Sequence, residues 1–358
     1  MNSNNSTNTD QYFEGISRHL FISIHLFYLI FGNIGIILKI LFFLQKPVRR
    51  CPCVIYVIAA SLIDIITLNN IPLLNLLSNL YPSKGWIYIT INRLNLSNEH
   101  NQGFLLLSSS SIIQICKIRN YVHMWSTDVS IHLLVFASID RYLVSTKKLK
   151  LKQQTNQRLT NIFCRHSNAI KISLGTYILG AFISLHHYFN FTVVSNYCIP
   201  KHFILWIIWI FDIHCLIPST LMIIFSILTL INVRKCSKSS IPGSRNNNGR
   251  IFNTSCQRQS RLNRHHVEQQ LTSMIIAETI VTMLTILPYA IYVVYQGMTS
   301  EHVKNLKTLA REDFIEQLAR STMYLEPSCG FYIYLFTLTT LRKRFLRLLL
   351  NKIRFFCL

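Results

Sequence analysis

Seven apolar stretches, each long enough to cross a bilayer as a helix, occupy most of this 358-residue chain. A membrane-spanning helix needs about 20 predominantly apolar residues. The stretches, called spans one to seven below, lie near 19–44, 54–80, 112–145, 168–190, 203–233, 271–296 and 314–341. Because backbone groups in lipid must satisfy their hydrogen bonds within the segment, we expect these stretches to be helices. The sequence predicts an all-α membrane protein, with a seven-transmembrane helix bundle forming one domain over 19–341.

The composition agrees with a membrane protein. Half of the residues are hydrophobic and only 14% are charged, whereas soluble domains contain about 25% charged residues. The net charge of +22 raises the alternative of nucleic-acid binding, but the cations flank apolar spans instead of forming a stripe on a soluble domain. Membrane topology and attraction to anionic lipid explain them. We therefore expect membrane lipids, and no nucleic acid, among the partners.

The basic residues also predict the orientation. They are concentrated after spans one, three, five and seven, in 46–50, 147–165, 234–264 and 342–358. Since Lys and Arg are retained on the cytoplasmic side of a membrane, the N-terminus is predicted to be extracellular, in a multi-pass protein of the plasma membrane. The last of these segments alternates cations with apolar side chains. That pattern predicts a short amphipathic eighth helix on the inner lipid surface, followed by a short tail.

Residues 1–18 are predicted to form an extracellular tail. Glycosylation acceptors occur there and in two outer loops, at Asn4, Asn5, Asn95 and Asn190. All four lie on the predicted outer face, so we expect a glycoprotein.

Span three is the most polar of the seven. It contains Lys117, Arg119, His123 and Asp128 and closes with Asp140-Arg141-Tyr142. Ionisable side chains within membrane spans are costly and usually functional, so span three is predicted to lie inside the bundle.

Cys116 precedes Arg141 by 25 residues on this span. A helix of that length extends about 37 Å and joins the two membrane faces. The seven spans, the Asp-Arg-Tyr tripeptide and this spacing together resemble a divergent rhodopsin-like (class A) G protein-coupled receptor. The resemblance runs from Gly32-Asn33 in span one to Phe345 after span seven.

The resemblance implies three sets of residues. The first is an outer disulfide between Cys116 and Cys198, which would hold the second outer loop over the bundle. The second is a switch that controls the G protein, consisting of Asp140, Arg141, Tyr142, Glu268 and Tyr334. In this switch Arg141 would pair alternately with Asp140 and with Glu268. The third is a polar core that binds a sodium ion, consisting of Asn33, Asp64, Ser130 and Glu326.

The two carboxylates of that core leave alternatives open. Asp64 and Glu326 are predicted to face each other across the bundle, and two buried carboxylates either share a proton or bind a cation. Glu326 could also pair with a neighbouring donor. Sodium is the one possible cofactor.

The chain departs from the family pattern at several positions. The tryptophan that precedes the proline of span six is absent from Thr285-Ile286-Leu287-Pro288. In span seven, Gly330 replaces the asparagine of Asn-Pro-x-x-Tyr, Tyr334 is kept, and the proline has moved one turn outward to Pro327. These changes affect the residues that connect pocket to switch in the family.

A ligand is expected to enter from outside, between spans three, five, six and seven. Counting helical turns inward from Cys116, and along the other spans, places ten residues on the pocket face: Arg119, His123, Thr127, His214, Tyr289, Tyr292, Gln296, Glu316, Arg320 and Tyr324. His123 occupies the position of the aspartate of amine receptors, which disfavours a small amine. Arg119 and Arg320 suit an acidic or carboxyl group, so a peptide is favoured.

The predicted function is therefore a receptor that transmits extracellular binding of a ligand, most readily a peptide, to a cytoplasmic heterotrimeric G protein. A chemosensory receptor for a small molecule and a membrane transporter are the alternatives. No internal repeat of the kind that transporters show is visible. No hydrolase, zinc-protease or phosphate-loop motif is found, so an enzyme is not expected.

Overall fold

The computed structural model describes residues 17–44, 51–80, 109–148, 165–194, 197–209, 215–239, 254–299, 305–337 and 342. For some residues near the ends of these segments, Cys198 and Glu268 among them, only the backbone is described. Several predicted features lie outside the described residues: Asn4, Asn5, Asn95, His214 and the amphipathic helix after Arg342.

The first four spans are continuous helices. They are α1 (Ser17–Phe43), α2 (Pro52–Leu80), α3 (Ser109–Lys148) and α4 (His166–Asn190). Within α1, residues Tyr28–Gly32 form a π-helical turn. Proline lacks the N–H that a helix interior requires, and α2 contains Pro72 at such a position.

The last three spans are less regular. Span five comprises a short helix, α5 (Phe203–Ile208), and the longer α6 (Ile217–Ser239). Span six is α7 (Thr254–Met298), with Pro288 in its interior. Span seven is divided into α8 (Leu306–Thr322) and α9 (Leu325–Thr337).

Within the described residues, six helices, those of spans one to six, are long and apolar enough to cross a membrane. Span seven falls short because a turn at Met323 and Tyr324 divides it. The break has a local cause, since Pro327 offers no N–H to the carbonyl of Met323, four residues earlier, and its ring crowds that carbonyl. The turn instead places the N–H of Tyr324 3.2 Å from the carbonyl oxygen of Ser321.

Two short strands form a hairpin between spans four and five. Strand β1 (Phe191–Val194) pairs antiparallel with β2 (Tyr197–Pro200), and Val193 lies opposite Cys198. Strand β1 packs against α3. The hairpin is the one departure from an all-helical structure within the described residues.

Span three occupies the centre of the bundle. In its apolar window 72% of the residues are buried, against 17% in span four. Span four exposes large apolar side chains such as Leu179 and Phe182, as expected of a helix that faces lipid. The prediction that span three lies inside the bundle is confirmed.

Small residues allow the helices to approach closely, as in other membrane bundles. A Cβ atom at Gly32 of span one would lie 2.6 Å from Leu68 Cδ1 of span two and 2.8 Å from Ser328 Oγ of span seven. A Cβ atom at Gly180 of span four would lie 2.5 Å from Val129 Cγ2 of span three. The core that these contacts enclose includes Tyr56, Leu133, Met222, Met274 and Phe331.

Candidate functional site

The cytoplasmic end of span three contains a buried ion pair. Arg141 Nη2 lies 2.5 Å from Asp140 Oδ2, and Arg141 Nε also donates to that oxygen at 3.2 Å. Both side chains are buried. The other carboxylate oxygen of Asp140 has no hydrogen-bond partner within the described part of the chain. Because the side chain of Glu268 is not described, its pairing with Arg141 stays a prediction.

The two tyrosines of the predicted switch contact different spans. The Tyr142 ring packs on Phe225 of span five, with ring centroids 5.6 Å apart. Nearby, Asn232 of span five donates to Ser145 Oγ of span three at 3.0 Å. Tyr334 is buried beside Phe43 of span one, at 5.9 Å between centroids. Span three is thus joined to span five at the inner face, while Tyr334 joins span seven to span one.

Two of the four residues predicted for the polar core contact each other directly. Ser130 of span three donates to Asp64 Oδ1 of span two at 2.5 Å, and both are buried. Glu326 of span seven is buried as well. Glu326 Oε1 has no hydrogen-bond partner among the described residues.

Asn33, the fourth predicted member, has other partners. Its amide donates to the carbonyl of Leu29 at 2.7 Å, and it exchanges hydrogen bonds with the exposed Asn69 at 2.9 and 3.3 Å. Its side chain therefore links spans one and two away from the Asp64–Ser130 pair. Helical spacing alone does not predict that Asn69 is the partner of Asn33.

The polar core contains two residues that the sequence reading missed. Lys39 of span one and Glu278 of span six form a buried ion pair, with Nζ 2.7 Å from Oε1. The available signal was the single charge inside each apolar span, since an intramembrane ionisable residue is by default a candidate functional residue. Which carboxylate would face Lys39 depends on helix packing and could not be derived from spacing.

At the outer end of the bundle, spans six and seven form a second polar cluster. Arg320 pairs with Glu316 one turn away on its own helix. Tyr292 donates to Glu316 Oε2 at 3.4 Å. The Arg320 guanidinium also lies over the ring of Tyr289, 5.9 Å from its centroid, at a distance typical of a cation–π contact. These four predicted pocket residues are thus brought together.

Span three adds its own residues to this outer cluster. Arg119 is buried, and it lies one turn inward from Cys116, which packs in one cluster with Tyr289. The His123 ring lies 5.9 Å from the ring of Tyr324. The structure therefore brings Arg119, His123 and Tyr324 to the same end of the bundle as Arg320.

The remaining predicted pocket residues are less closely connected. Thr127 donates its hydroxyl hydrogen to the carbonyl of His123 in its own helix. Gln296 is half-buried and lies two helical turns outward from Tyr289. His214 lies outside the described residues.

The hairpin between spans four and five packs beside this cluster. Cys116 is disulfide-bonded and packs in one apolar cluster with Phe191 of β1, Trp206 and Tyr289. Its sulfur lies 3.9 Å from the carbonyl oxygen of Thr192. The side chain of Cys198 is not described, so the pairing of Cys116 with Cys198 stays a prediction.

Of the four predicted glycosylation sites, only Asn190 is described. It ends α4, and its side-chain oxygen accepts a hydrogen bond from the backbone N–H of His202 at 3.1 Å. This contact uses the oxygen and not the side-chain nitrogen, which is the atom that carries a glycan. The glycosylation of Asn190 remains a prediction.

A helical membrane bundle with an outer polar cluster and a buried Arg–Asp pair at its inner face is the architecture of a receptor. The family described as "7 transmembrane receptor (rhodopsin family)" matches residues 32–329, and the chain belongs to this family. No curated protein matches the chain. The predictions of a seven-helix bundle, of a multi-pass plasma-membrane receptor and of a protein that is not an enzyme are confirmed.

Proposed function

We propose that this receptor binds an extracellular peptide through an acidic group of that peptide and activates a heterotrimeric G protein at its inner face. The observation that carries the ligand half is the placement of two guanidinium groups at the outer end of the bundle. Arg119 is buried one turn inward from Cys116, and Arg320 lies over the ring of Tyr289, which packs in the same cluster as Cys116. Like charges that are brought together at low dielectric repel each other. A ligand carboxylate placed between them relieves that repulsion.

The chemistry of the cluster supports an acidic ligand group. Guanidinium groups match carboxylates in a bidentate geometry and remain charged at any physiological pH. Arg320 is already oriented by Glu316 and by the face of Tyr289. Arg119 is the deeper of the two guanidinium groups, one turn inward from Cys116 on span three and with the half-buried His123 one turn further in. We expect it to contact the carboxylate of the ligand.

A peptide fits better than a small carboxylate because the cluster also contains an acid. Glu316 pairs with Arg320 and accepts a hydrogen bond from Tyr292, and the remaining lone pairs of its carboxylate can accept from a basic or amide group of a longer ligand. Anchors of both signs within one site favour a chain that carries both. A small chemosensory carboxylate is the competing ligand class, and the experiment below separates the two.

The signalling half rests on Arg141. A permanent charge that is buried must always have a partner, and here that partner is Asp140, the preceding residue of the same helix. Outward movement of span six would expose the guanidinium to groups supplied by a G protein. Before span six moves, the ion pair with Asp140 neutralises the charge of Arg141.

Cells that express the receptor and report G protein activation provide the test. The panel contains peptides as free acids, the same peptides as C-terminal amides, small carboxylates and amines. We expect an active peptide whose amide is at least about tenfold weaker, since a hydrogen bond to a charged group contributes about 1.5–3 kcal/mol. Arg119→Gln should cause a similar loss. Arg311→Gln, at an exposed position of span seven, is the matched control and should respond normally.

Equal potency of acid and amide, with no effect of Arg119→Gln, would contradict the acidic anchor. A response to small carboxylates but to no peptide would reject the peptide and favour the chemosensory reading. The G protein half is tested by Arg141→Ala in the same cells. If agonist response and basal activity are both unchanged in that variant, Arg141 is not the switch.

A further inference from the structure

The Lys39–Glu278 pair crosses the bundle at the depth where the family resemblance placed sodium. Both residues are 2% exposed, and the ammonium and carboxylate are 2.7 Å apart. Lys39 belongs to span one and Glu278 to span six, and span seven packs against both. The pair therefore joins two helices across a third.

The lysine side chain reaches its partner over the inner face of span seven. Its Nζ lies 5.4 Å from the centroid of the Tyr334 ring. A Cβ atom at Gly330, one turn earlier, would lie 3.6 Å from the same nitrogen. The absence of a side chain at Gly330 and the face of an aromatic ring at Tyr334 leave space for an ammonium and favour its charge.

The ammonium lies in a core that contains three acids, Asp64, Glu278 and Glu326. Its nitrogen pairs with Glu278 and lies 3.6 Å from the Cβ position of Gly330, which is one turn along span seven from Glu326. All three acids are buried. A buried carboxylate needs a cation, a proton or several donors nearby. A lysine that is part of the chain supplies the positive charge at this point.

These residues do not fit the predicted sodium site. Asn33 bonds to Asn69 and Leu29 instead of joining the core. Asp64 Oδ1 accepts a hydrogen bond from Ser130, and the ammonium of Lys39 lies in the same buried core, beside Glu278 and one turn along span seven from Glu326. A sodium ion would have to bind against that positive charge, and like charges repel strongly where the dielectric is low.

We infer that Lys39 is the internal cation of this receptor, that it takes the place of a diffusible sodium ion, and that its pair with Glu278 tethers span six to span one. A covalently attached cation cannot be diluted away. The core should therefore be insensitive to the sodium concentration. Any movement of span six must break a buried ion pair, so the tether favours the position of span six seen here.

The first test compares sodium with choline as the cation. The purified full-length receptor in detergent is heated in NaCl and in choline chloride at equal ionic strength, and unfolding is followed. We expect the same melting temperature in both salts for the natural protein. In Lys39→Met we expect sodium to raise the melting temperature by several degrees relative to choline, because Asp64 and Glu326 are then free to bind it. The control is Lys171→Met, an exposed lysine of span four, which should behave as the natural protein does.

The single variant leaves Glu278 without its partner and could fail to fold. The neutral double variant Lys39→Met, Glu278→Met removes both charges and is expected to fold, since replacing a whole buried pair by apolar residues is often neutral. It retains Asp64 and Glu326, so sodium should stabilise it too. An equal sodium effect in the natural protein and in the double variant would overturn the internal cation.

The tether is tested by hydrogen exchange without any need for an agonist, so its outcome is independent of the proposed ligand and G protein. Amides of span six, measured by mass spectrometry on peptides from Thr254–Met298, should exchange faster in the neutral double variant than in the natural protein. Peptides from span four should be unchanged. In the charge-swapped variant Lys39→Glu, Glu278→Lys we expect exchange in span six to slow again. Unaltered exchange of span six in the neutral double variant would overturn the tether.

Discussion

Arg141 keeps its positive charge at every physiological pH, so its guanidinium always requires a partner. The partner in this structure is the preceding residue, Asp140, at 2.5 Å. A pair between neighbours on one helix does not by itself connect two helices. It stabilises the charge within span three alone. A contact of Arg141 with Glu268 would be needed to connect this charge to span six, and it stays a prediction.

The first prediction concerns that pair. Asp140→Asn leaves a buried guanidinium without an anion, and breaking a buried pair in this way costs about 3–5 kcal/mol of unfolding free energy. Thermal or denaturant unfolding of the purified receptor measures the loss. The double variant Asp140→Asn, Arg141→Met should be more stable than the single variant, because no unpaired charge remains. A single variant at least as stable as the double one would show that the pair does not neutralise Arg141.

The residues that were predictable from the sequence are those whose role depends on position within one helix. Arg141 and Cys116 are separated by a length that one helix spans, so their assignment needed no knowledge of packing. Lys39 and Glu278 lie on different helices. No periodic pattern in the sequence predicts which charge of another span will pair with a single charge in an apolar span. Asn33 was assigned to the polar core because of its place in span one, but the rotation of that helix turns its amide to Asn69.

At the scale of the helix, apolar length predicted the number of spans but not their interruptions. Span seven was predicted as a single stretch near 314–341, whereas the structure begins at Leu306 and breaks before Leu325. Pro327 is visible in the sequence, but its presence alone does not predict that span seven divides into two helices before Leu325. A proline can kink a helix or end it, and the local packing decides which.

The second prediction concerns the contact of spans one, two and seven. Gly32→Ala introduces a Cβ atom 2.6 Å from Leu68 Cδ1 and 2.8 Å from Ser328 Oγ, so neighbouring atoms must move. Overpacking of this kind costs about 1–3 kcal/mol, and a lower melting temperature would report it. Gly175→Ala is the matched control, because nothing lies within 4 Å of a Cβ atom there. It should be neutral or stabilising, since alanine is the better helix former. Equal effects at both positions would contradict close packing at Gly32.

The third prediction concerns the hairpin beside the outer cluster. Cys116→Ser removes the disulfide and should reduce the unfolding free energy by about 2–4 kcal/mol. The control is Cys215→Ser, because Cys215 is a free, half-buried cysteine. Mass spectrometry of unreduced peptides should recover a link between Cys116 and Cys198. A link from Cys116 to any other cysteine would refute the pairing implied by the family resemblance.

At the scale of the whole molecule, the two polar regions must communicate without the aromatic side chain that the family uses. Ile286 stands where the family has a tryptophan. Among the described residues, a polar contact joins spans six and seven between the regions: Thr322 donates to the carbonyl of Thr285 at 2.9 Å. Thr322 is two residues from Arg320, and Thr285 is one turn before Pro288. This contact connects the outer cluster to the proline of span six.

The fourth prediction follows from that contact. The Thr322 hydroxyl also lies 2.7 Å from the carbonyl oxygen of Ala319 in its own helix. Thr322→Val removes this shared donor, a loss of about 1 kcal/mol in stability, and we expect it to uncouple the outer cluster from span six. The maximal G protein response to an agonist found in the panel should fall, while the melting temperature changes little. Thr220→Val, whose hydroxyl bonds only to carbonyls of its own helix in the described structure, should keep the full response. A full response from Thr322→Val would show that the signal takes another route.

Synthesis of the chain imposes an order on the Lys39–Glu278 pair. The two residues are separated by 239 positions. At about 5–20 residues per second, roughly 10 to 50 s pass between their emergence from the ribosome. During that interval span one enters the membrane with an ammonium near its inner end, which reaches the interface along its flexible stem. Lys39 can be buried beside Glu278 only after span six has been inserted. The packing of span one is therefore completed by the sixth helix.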